Sequence, residues 1–201
     1  MQRILLSFFV FAFLLSGCVT RPDGPQSAVN LPAQLASLTT IKTWKVTGRL
    51  AMRSGNEALS ASLSWKTDHS DFTFRLTNLL GVTLVDLSVN DTLSTLEAGN
   101  DTYTDTDPSA LIYRATQWRL PVTQLTTWIK GLPTQSDTYT LNDKGLIETL
   151  QPGCQQCSGW TVSYDHFGQV DGVWLPYSLT LRHSDTPTDF IKIRIDKWTT
   201  Q

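Results

Sequence analysis

The sequence predicts a mainly β, antiparallel fold, a sandwich or barrel with short helices set among the strands. Three observations carry that expectation. Alternating apolar and polar residues recur in about eleven short runs along the chain. Most neighbouring runs are separated by short turns rich in Gly, Asn and Asp, as in hairpin-connected sheets. Helical spacing is confined to stretches near Leu31, Pro108 and Leu125.

The chain opens with Arg3 and the apolar run 4–15, which is too short to span a bilayer and suits a secretory signal. Leu15-Ser16-Gly17-Cys18 follows it and resembles the lipobox of bacterial lipoproteins. Only a thiolate sulfur can become the diacylglycerol thioether, so Cys18 is the expected lipidation site. Three acyl chains, at about 0.8 kcal/mol per buried methylene, hold a protein on a membrane where one is marginal. Residue 19 is Val rather than Asp, which in the sorting rule attached to that resemblance favours the outer membrane. The expected organisation is a signal peptide over 1–17, a lipidated tether over 18–30 containing Pro22, Gly24 and Pro25, and a β-domain over 31–201.

Leu31, Leu35 and Leu38 share a helical face, with Pro32 in the first turn. Trp44, Val46, Leu50 and Met52 line one face of a strand, where Gly48 permits a bulge or a tight bend. Leu59, Ala61, Leu63 and Trp65 line the next, opposite Ser60, Ser62 and Ser64. Residues 93–98 and 102–105 form a further pair around Gly99-Asn100-Asp101. Asp107-Pro108 is a helix cap followed by an N1 proline. Leu120-Pro121 interrupts that helix, and Leu125, Trp128 and Ile129 begin another that Gly131 and Pro133 end. Helices in the middle of a strand series must cap the sheet, fill it or close one mouth. Strands resume at Tyr139–Leu141 and return from the turn Asn142-Asp143-Lys144-Gly145. They continue through Trp160-Val162-Tyr164, Tyr177-Leu179-Leu181 and Ile191-Ile193-Ile195.

One hairpin is unusual. Phe72, Phe74 and Leu76 alternate with polar residues, as do Val85, Leu87 and Val89, and Asn78-Leu79-Leu80-Gly81 lies between the runs. Asn and Gly are ordinary turn residues because both tolerate positive φ. Two leucines at a surface tip expose apolar area. Either one folds back onto a neighbouring element or it projects to meet something apolar.

Catalytic chemistry has little support. Lys and Arg number 16 and Asp and Glu 18, a near balance that gives nucleic-acid binding no footing. The charged fraction is 17% and there are seven tryptophans, so the chain can build a large apolar interior. Cys154 and Cys157 lie among turn residues of an exported chain, and a structural disulfide is the leading reading. A thiol oxidoreductase would place such a pair at a helix start after a strand. Zinc would need a second ligand pair. His69, His166 and His183 sit near polar strand ends and read as surface residues. Asp101, Asp105 and Asp107 lack the glycine and terminal acid of a calcium loop and read as turns and a cap. No catalytic residue, metal or cofactor is expected.

Trp44–Leu50, Leu59–Trp65, the run 76–81, Leu120-Pro121 and the run 125–133 together resemble the LolB family of outer-membrane lipoprotein receptors. The run Leu125-Thr126-Thr127-Trp128-Ile129-Lys130-Gly131-Leu132-Pro133 is the most specific part. The resemblance implies an open, incomplete antiparallel β-barrel whose short helices lid an apolar cavity. It also implies a receptor that takes acylated lipoprotein from a LolA-like periplasmic carrier and inserts it into the inner leaflet of the outer membrane. The expected partners are the carrier, the cargo and outer-membrane phospholipid, with the receptor monomeric and anchored through Cys18 on the periplasmic face. In that family a leucine before a glycine in a protruding loop is needed for insertion, and the matching residue is Leu80, flanked by Leu79 and Gly81. Leu79 stands where the family commonly has proline, and the Cys154/Cys157 pair is not a family hallmark. Trp65, Phe72, Phe74, Trp128 and Leu179 are the residues expected to line the cavity.

The physics suits that role. Exposing a chain of about sixteen carbons to water costs on the order of 12 kcal/mol, so a carrier must surround it. The competing reading is a structural or assembly lipoprotein whose sheet docks a protein partner, with the leucines as an interface knob and the interior packed solid.

Overall fold

The computed structural model describes residues 21–116, 121–154 and 157–201. The signal segment, Cys18 and Leu120 lie outside the described residues. After the segment 21–30 come helix α1 (Leu31–Thr40) and strands β1 (Thr43–Ser54), β2 (Glu57–Asp68), β3 (Asp71–Thr77), β4 (Thr83–Val89), β5 (Ser94–Ala98) and β6 (Asp101–Asp105). Helices α2 (Pro108–Thr116) and α3 (Val122–Trp128) interrupt the series. Strands β7 (Thr138–Leu141), β8 (Ile147–Gln151), β9 (Trp160–Val170), β10 (Val173–His183) and β11 (Thr186–Thr200) complete it.

Local chemistry explains the helix limits. The Asn30 side chain accepts from the Ala33 N–H at 3.1 Å, and a proline occupies the first turn of α1. The Asp107 carboxylate accepts from the Ser109 N–H at 2.8 Å at the start of α2. Gly131, at φ 71°, ends the α3 region. Its N–H bonds the Trp128 carbonyl while the Leu132 N–H reaches the Thr127 carbonyl, the paired bonds of a Schellman stop.

The strands form a single eleven-stranded antiparallel sheet in the order β6-β5-β4-β3-β2-β1-β11-β10-β9-β8-β7. The end strands β6 and β7 do not pair with each other, so the sheet stays open. Register places apolar residues in rows across one face. One row runs Leu150, Val162, Leu181, Ile191, Met52 and Leu59. Another runs Tyr164, Leu179, Ile193, Leu50 and Ala61. At β1 the register with β11 shifts between Thr47 and Gly48. A Cβ on Gly48 would lie 2.0 Å from the Arg194 carbonyl oxygen, so the bulge needs glycine there.

The helices cover this face rather than extend the sheet. α2 packs on β5 and β6 and against α3. Leu111, Val122, Leu125, Trp128 and Ile129 are buried in the same core as the strand residues. α1 packs on β10, where the buried Gln34 side chain donates to the Trp174 carbonyl and accepts from its N–H, acting as a short substitute strand. The segment 21–30 lies along β9 and the 142–145 turn. Pro25 is buried, the Val29 N–H donates to the Lys144 carbonyl at 2.8 Å, and Arg21 meets His166 at 3.0 Å.

Candidate functional site

The β3–β4 hairpin carries the site. Its strands are anchored by inward residues: Phe72, Leu76 and Leu87 are buried, with Phe74 half-buried between them. Arg75 donates through Nε to Asp86 Oδ2 at 2.8 Å across the pair. Beyond Thr77 the chain leaves the core, and the tip stands in open space. Leu79 is 90% exposed and Leu80 88%, with Val82 at 57%. Of the two readings of the leucine pair, the structure selects projection.

The tip is closed by its own backbone and by one side chain. Asn78 N–H donates to the Val82 carbonyl at 2.9 Å, and Gly81 N–H to the Asn78 carbonyl at 3.0 Å. Asn78 Oδ1 accepts from the N–H groups of Leu80 and Val82, at 2.9 and 3.0 Å. Gly81 takes φ 80°, the left-handed region that glycine enters without steric cost. The result is an ordered apolar point rather than a loose loop. Sequence reading missed the contribution of Val82 and the role of the Asn78 carboxamide. The Asn-x-x-Gly spacing was the available signal.

The residues expected to line a cavity fall into two groups. Trp65, Phe72 and Phe74 cluster on β2 and β3, with Trp65 5.3 Å from Phe74 and 6.2 Å from Phe72 between ring centroids. Trp44 joins them at 5.4 Å from Trp65. Leu179, on β10, and Trp128, on α3, are buried in the same core. The indole N–H groups of Trp65 and Trp128 are buried without an acceptor among the described residues. Phe72 also borders an open groove of about 320 Å³, but Lys66, Asp68, Asp71 and Asn90 rim it, and such polar walls do not suit a hydrocarbon chain.

Cys154 and Cys157 are joined as a disulfide, with Cα atoms 5.1 Å apart, in the segment between β8 and β9. The histidine reading needs correction. His69 is exposed, but His166 and His183 are half-buried and engaged, His166 with Arg21 and His183 with the Ser158 carbonyl. Packing of segment 21–30 and of the 158–159 turn covers them. Asp105 pairs with Arg114 at 3.2 Å and Asp107 caps α2, so the acidic group serves the helix.

Lys130 has a role that no motif announced. It is buried, and Nζ donates to the carbonyls of Ile41 at 2.8 Å and Leu38 at 3.4 Å, capping the C-terminal end of α1. Burial, with Lys42 nearby, lowers its pKa from 10.5 to about 8. A residue of the 125–133 run thus ties α3 to the start of the domain.

Comparison with known proteins agrees with this architecture. Residues 42–198 match the family described as "LolB: Outer membrane lipoprotein LolB". The chain is 30% identical over 202 residues to an outer-membrane lipoprotein LolB of Aeromonas hydrophila, covering 98% of each chain. It is 31% identical to the Vibrio cholerae protein of that name, covering 98% of this chain and 96% of the relative. A solved LolA superfamily protein from Nitrosomonas europaea shares the fold at TM-score 0.53 and 7% identity, over 87% of this chain and 94% of the other. A DUF1329 family protein from Desulfovibrio piger does so at TM-score 0.57 and 8% identity, over 86% and 91%. The open sheet with its projecting leucine hairpin is that of a chain belonging to the LolB family of outer-membrane lipoproteins.

Proposed function

We propose that the protein is the receptor that ends lipoprotein transport. It takes acylated lipoprotein from a LolA-like periplasmic carrier and delivers the acyl chains into the inner leaflet of the outer membrane. The exposed pair Leu79 and Leu80 on a closed hairpin carries this reading. A soluble domain has no reason to hold two leucines in water at the end of an ordered turn unless they meet something apolar. Leu80 enters the bilayer and guides departing chains, with Leu79 beside it and Gly81 shaping the turn.

The domain over 31–201 shelters the cargo while the triacylated Cys18, at the head of the tether 18–30 released from signal peptide 1–17, holds it to the periplasmic face as a monomer. Trp65, Phe72, Phe74, Trp128 and Leu179 border the acyl chains. The unpaired indole N–H groups of Trp65 and Trp128 support that assignment, because ester and amide carbonyls of an acylated cysteine would supply the acceptors they lack. Transfer needs no nucleotide: each acceptor need only bind more tightly than the last, tenfold for every 1.4 kcal/mol, and the bilayer is the deepest well.

The decisive experiment follows a labelled lipoprotein from carrier to this protein to liposomes. Leu80→Glu is expected to leave acceptance from the carrier intact and to cut delivery to liposomes by tenfold or more, because a carboxylate is costly to place in hydrocarbon. Delivery at the wild-type rate by a folded Leu80→Glu protein would sink the proposal.

A further inference from the structure

The tip must leave water, and that poses a problem for its backbone. A turn in a soluble protein can leave amides to solvent, but hydrocarbon offers them no partner. Strands and helices escape the difficulty because their groups pair internally. An isolated turn usually does not.

Here the pairing is already complete for four amides. Those of Asn78 and Gly81 are bonded to backbone carbonyls within the tip. Those of Leu80 and Val82 converge on one oxygen, Asn78 Oδ1. A carboxamide oxygen has two lone pairs and accepts both. These two amides belong to two of the residues whose side chains stand exposed, so two of the donors at the apolar point depend on one side chain.

Resting on the membrane reading of the leucine tip, we infer that Asn78 is a positioning residue for bilayer entry: its carboxamide occupies the Leu80 and Val82 N–H groups so that the tip enters hydrocarbon with those amides already paired. Leu79, Leu80 and Val82 supply the apolar surface. Asn78 holds them in one conformation and removes the desolvation cost that two free donors would impose.

A control is built into the molecule. At the β7–β8 turn Asn142 Oδ1 accepts from Lys144 and Leu146 N–H, each at 3.0 Å, so Asn142→Ala removes the same two bonds from a polar tip. The test measures delivery of a fluorescent lipoprotein from a LolA-like carrier, through the lipid-anchored protein, into vesicles of phosphatidylethanolamine and phosphatidylglycerol. Asn78→Ala should lower delivery about tenfold, the consequence of exposing unpaired donors to an apolar phase. Its acceptance of cargo from the carrier should be unchanged, and amide exchange at Leu80 and Val82 should quicken. Asn78→Ser, whose hydroxyl makes the same kind of turn bond more weakly, should recover part of the loss. Asn142→Ala should deliver normally.

Asn78→Ala delivering at the wild-type rate, while Leu80→Glu fails, would overturn the inference and leave the membrane role of the leucines standing. An equal loss in Asn142→Ala would also overturn it, since the effect would then be general destabilisation. Normal delivery by Leu80→Glu would remove the membrane role itself, and this inference with it.

Discussion

The β3–β4 tip and the β7–β8 tip share one backbone and differ in what they display. Asn78-Leu79-Leu80-Gly81-Val82 and Asn142-Asp143-Lys144-Gly145-Leu146 close with the same four bonds. The opening Asn N–H donates to the fifth carbonyl at 2.9 Å in both, and the Gly N–H to the Asn carbonyl at 3.0 Å in both. The glycines take φ 80° and 78°. Yet the first presents two leucines to open space, while the second presents Asp and Lys and holds the Val29 amide through the Lys144 carbonyl. Turn geometry therefore does not assign a role to either tip. The two residues between Asn and Gly, and what lies beside them, make one tip an apolar point and the other a clasp on the segment before α1.

The largest expected effect comes from exchanging the displayed residues. The double variant Leu79→Asp/Leu80→Lys copies the clasp sequence onto the β3–β4 tip. Both positions are exposed, so thermal stability should stay nearly constant, within about 0.5 kcal/mol. Inserting each leucine is worth about 1.5–3 kcal/mol, so delivery to liposomes should fall by about a hundredfold or more. A liposome transfer assay beside a thermal melt checks both halves. Retained delivery would show that the tips differ only in appearance.

The next effect is structural and should be unequal. Gly81→Ala places a side chain in the left-handed region, at a cost of about 1–2 kcal/mol, with nothing within 4 Å of the new Cβ. Gly145→Ala carries the same strain and brings its Cβ to 3.0 Å from the Val29 carbonyl oxygen. Each kcal/mol lowers Tm by about 2–4 °C in a domain of this size, so Gly145→Ala should melt lower than Gly81→Ala. Equal melting temperatures would mean that the contact with Val29 adds nothing.

The last effect is a pH dependence on the clasped side. Lys130 caps α1, the helix that follows the clasped segment, and its pKa falls from 10.5 unfolded to about 8 folded because burial opposes its charge. Between those values the unfolded chain binds more protons, so this group makes stability rise as pH increases from about 8 to 10.5. Below about pH 8 its cost is fully present. Denaturant melts of the wild type and Lys130→Met across that window should diverge in this sense, while liposome binding by the leucine tip should not follow the difference. Parallel stability curves would contradict the assignment.

Much of the architecture was legible because its causes are local. Alternation at Trp44–Met52 and Leu59–Trp65 marks faces that must be covered, and Asp107-Pro108 and Gly131 mark helix limits through their own backbone preferences. Gly48 was readable as a bulge, though the reason for it, the Arg194 carbonyl, lies far along the chain. The site was only half legible. Leu79 and Leu80 stood out, but folding back and projecting were equally consistent with the residues alone. Lys130 gave no sign of its burial, because a lysine in a helix-terminating run is ordinarily solvated.

By itself the sequence determined the strand series, the placing of the helices and the chemistry of each turn, since these follow from neighbours a few residues apart. Tertiary structure alone decided that Leu79 and Leu80 stand exposed, that Lys144 meets Val29, and that Lys130 reaches the end of α1. Those outcomes depend on which distant surfaces the open sheet brings close and which it leaves apart.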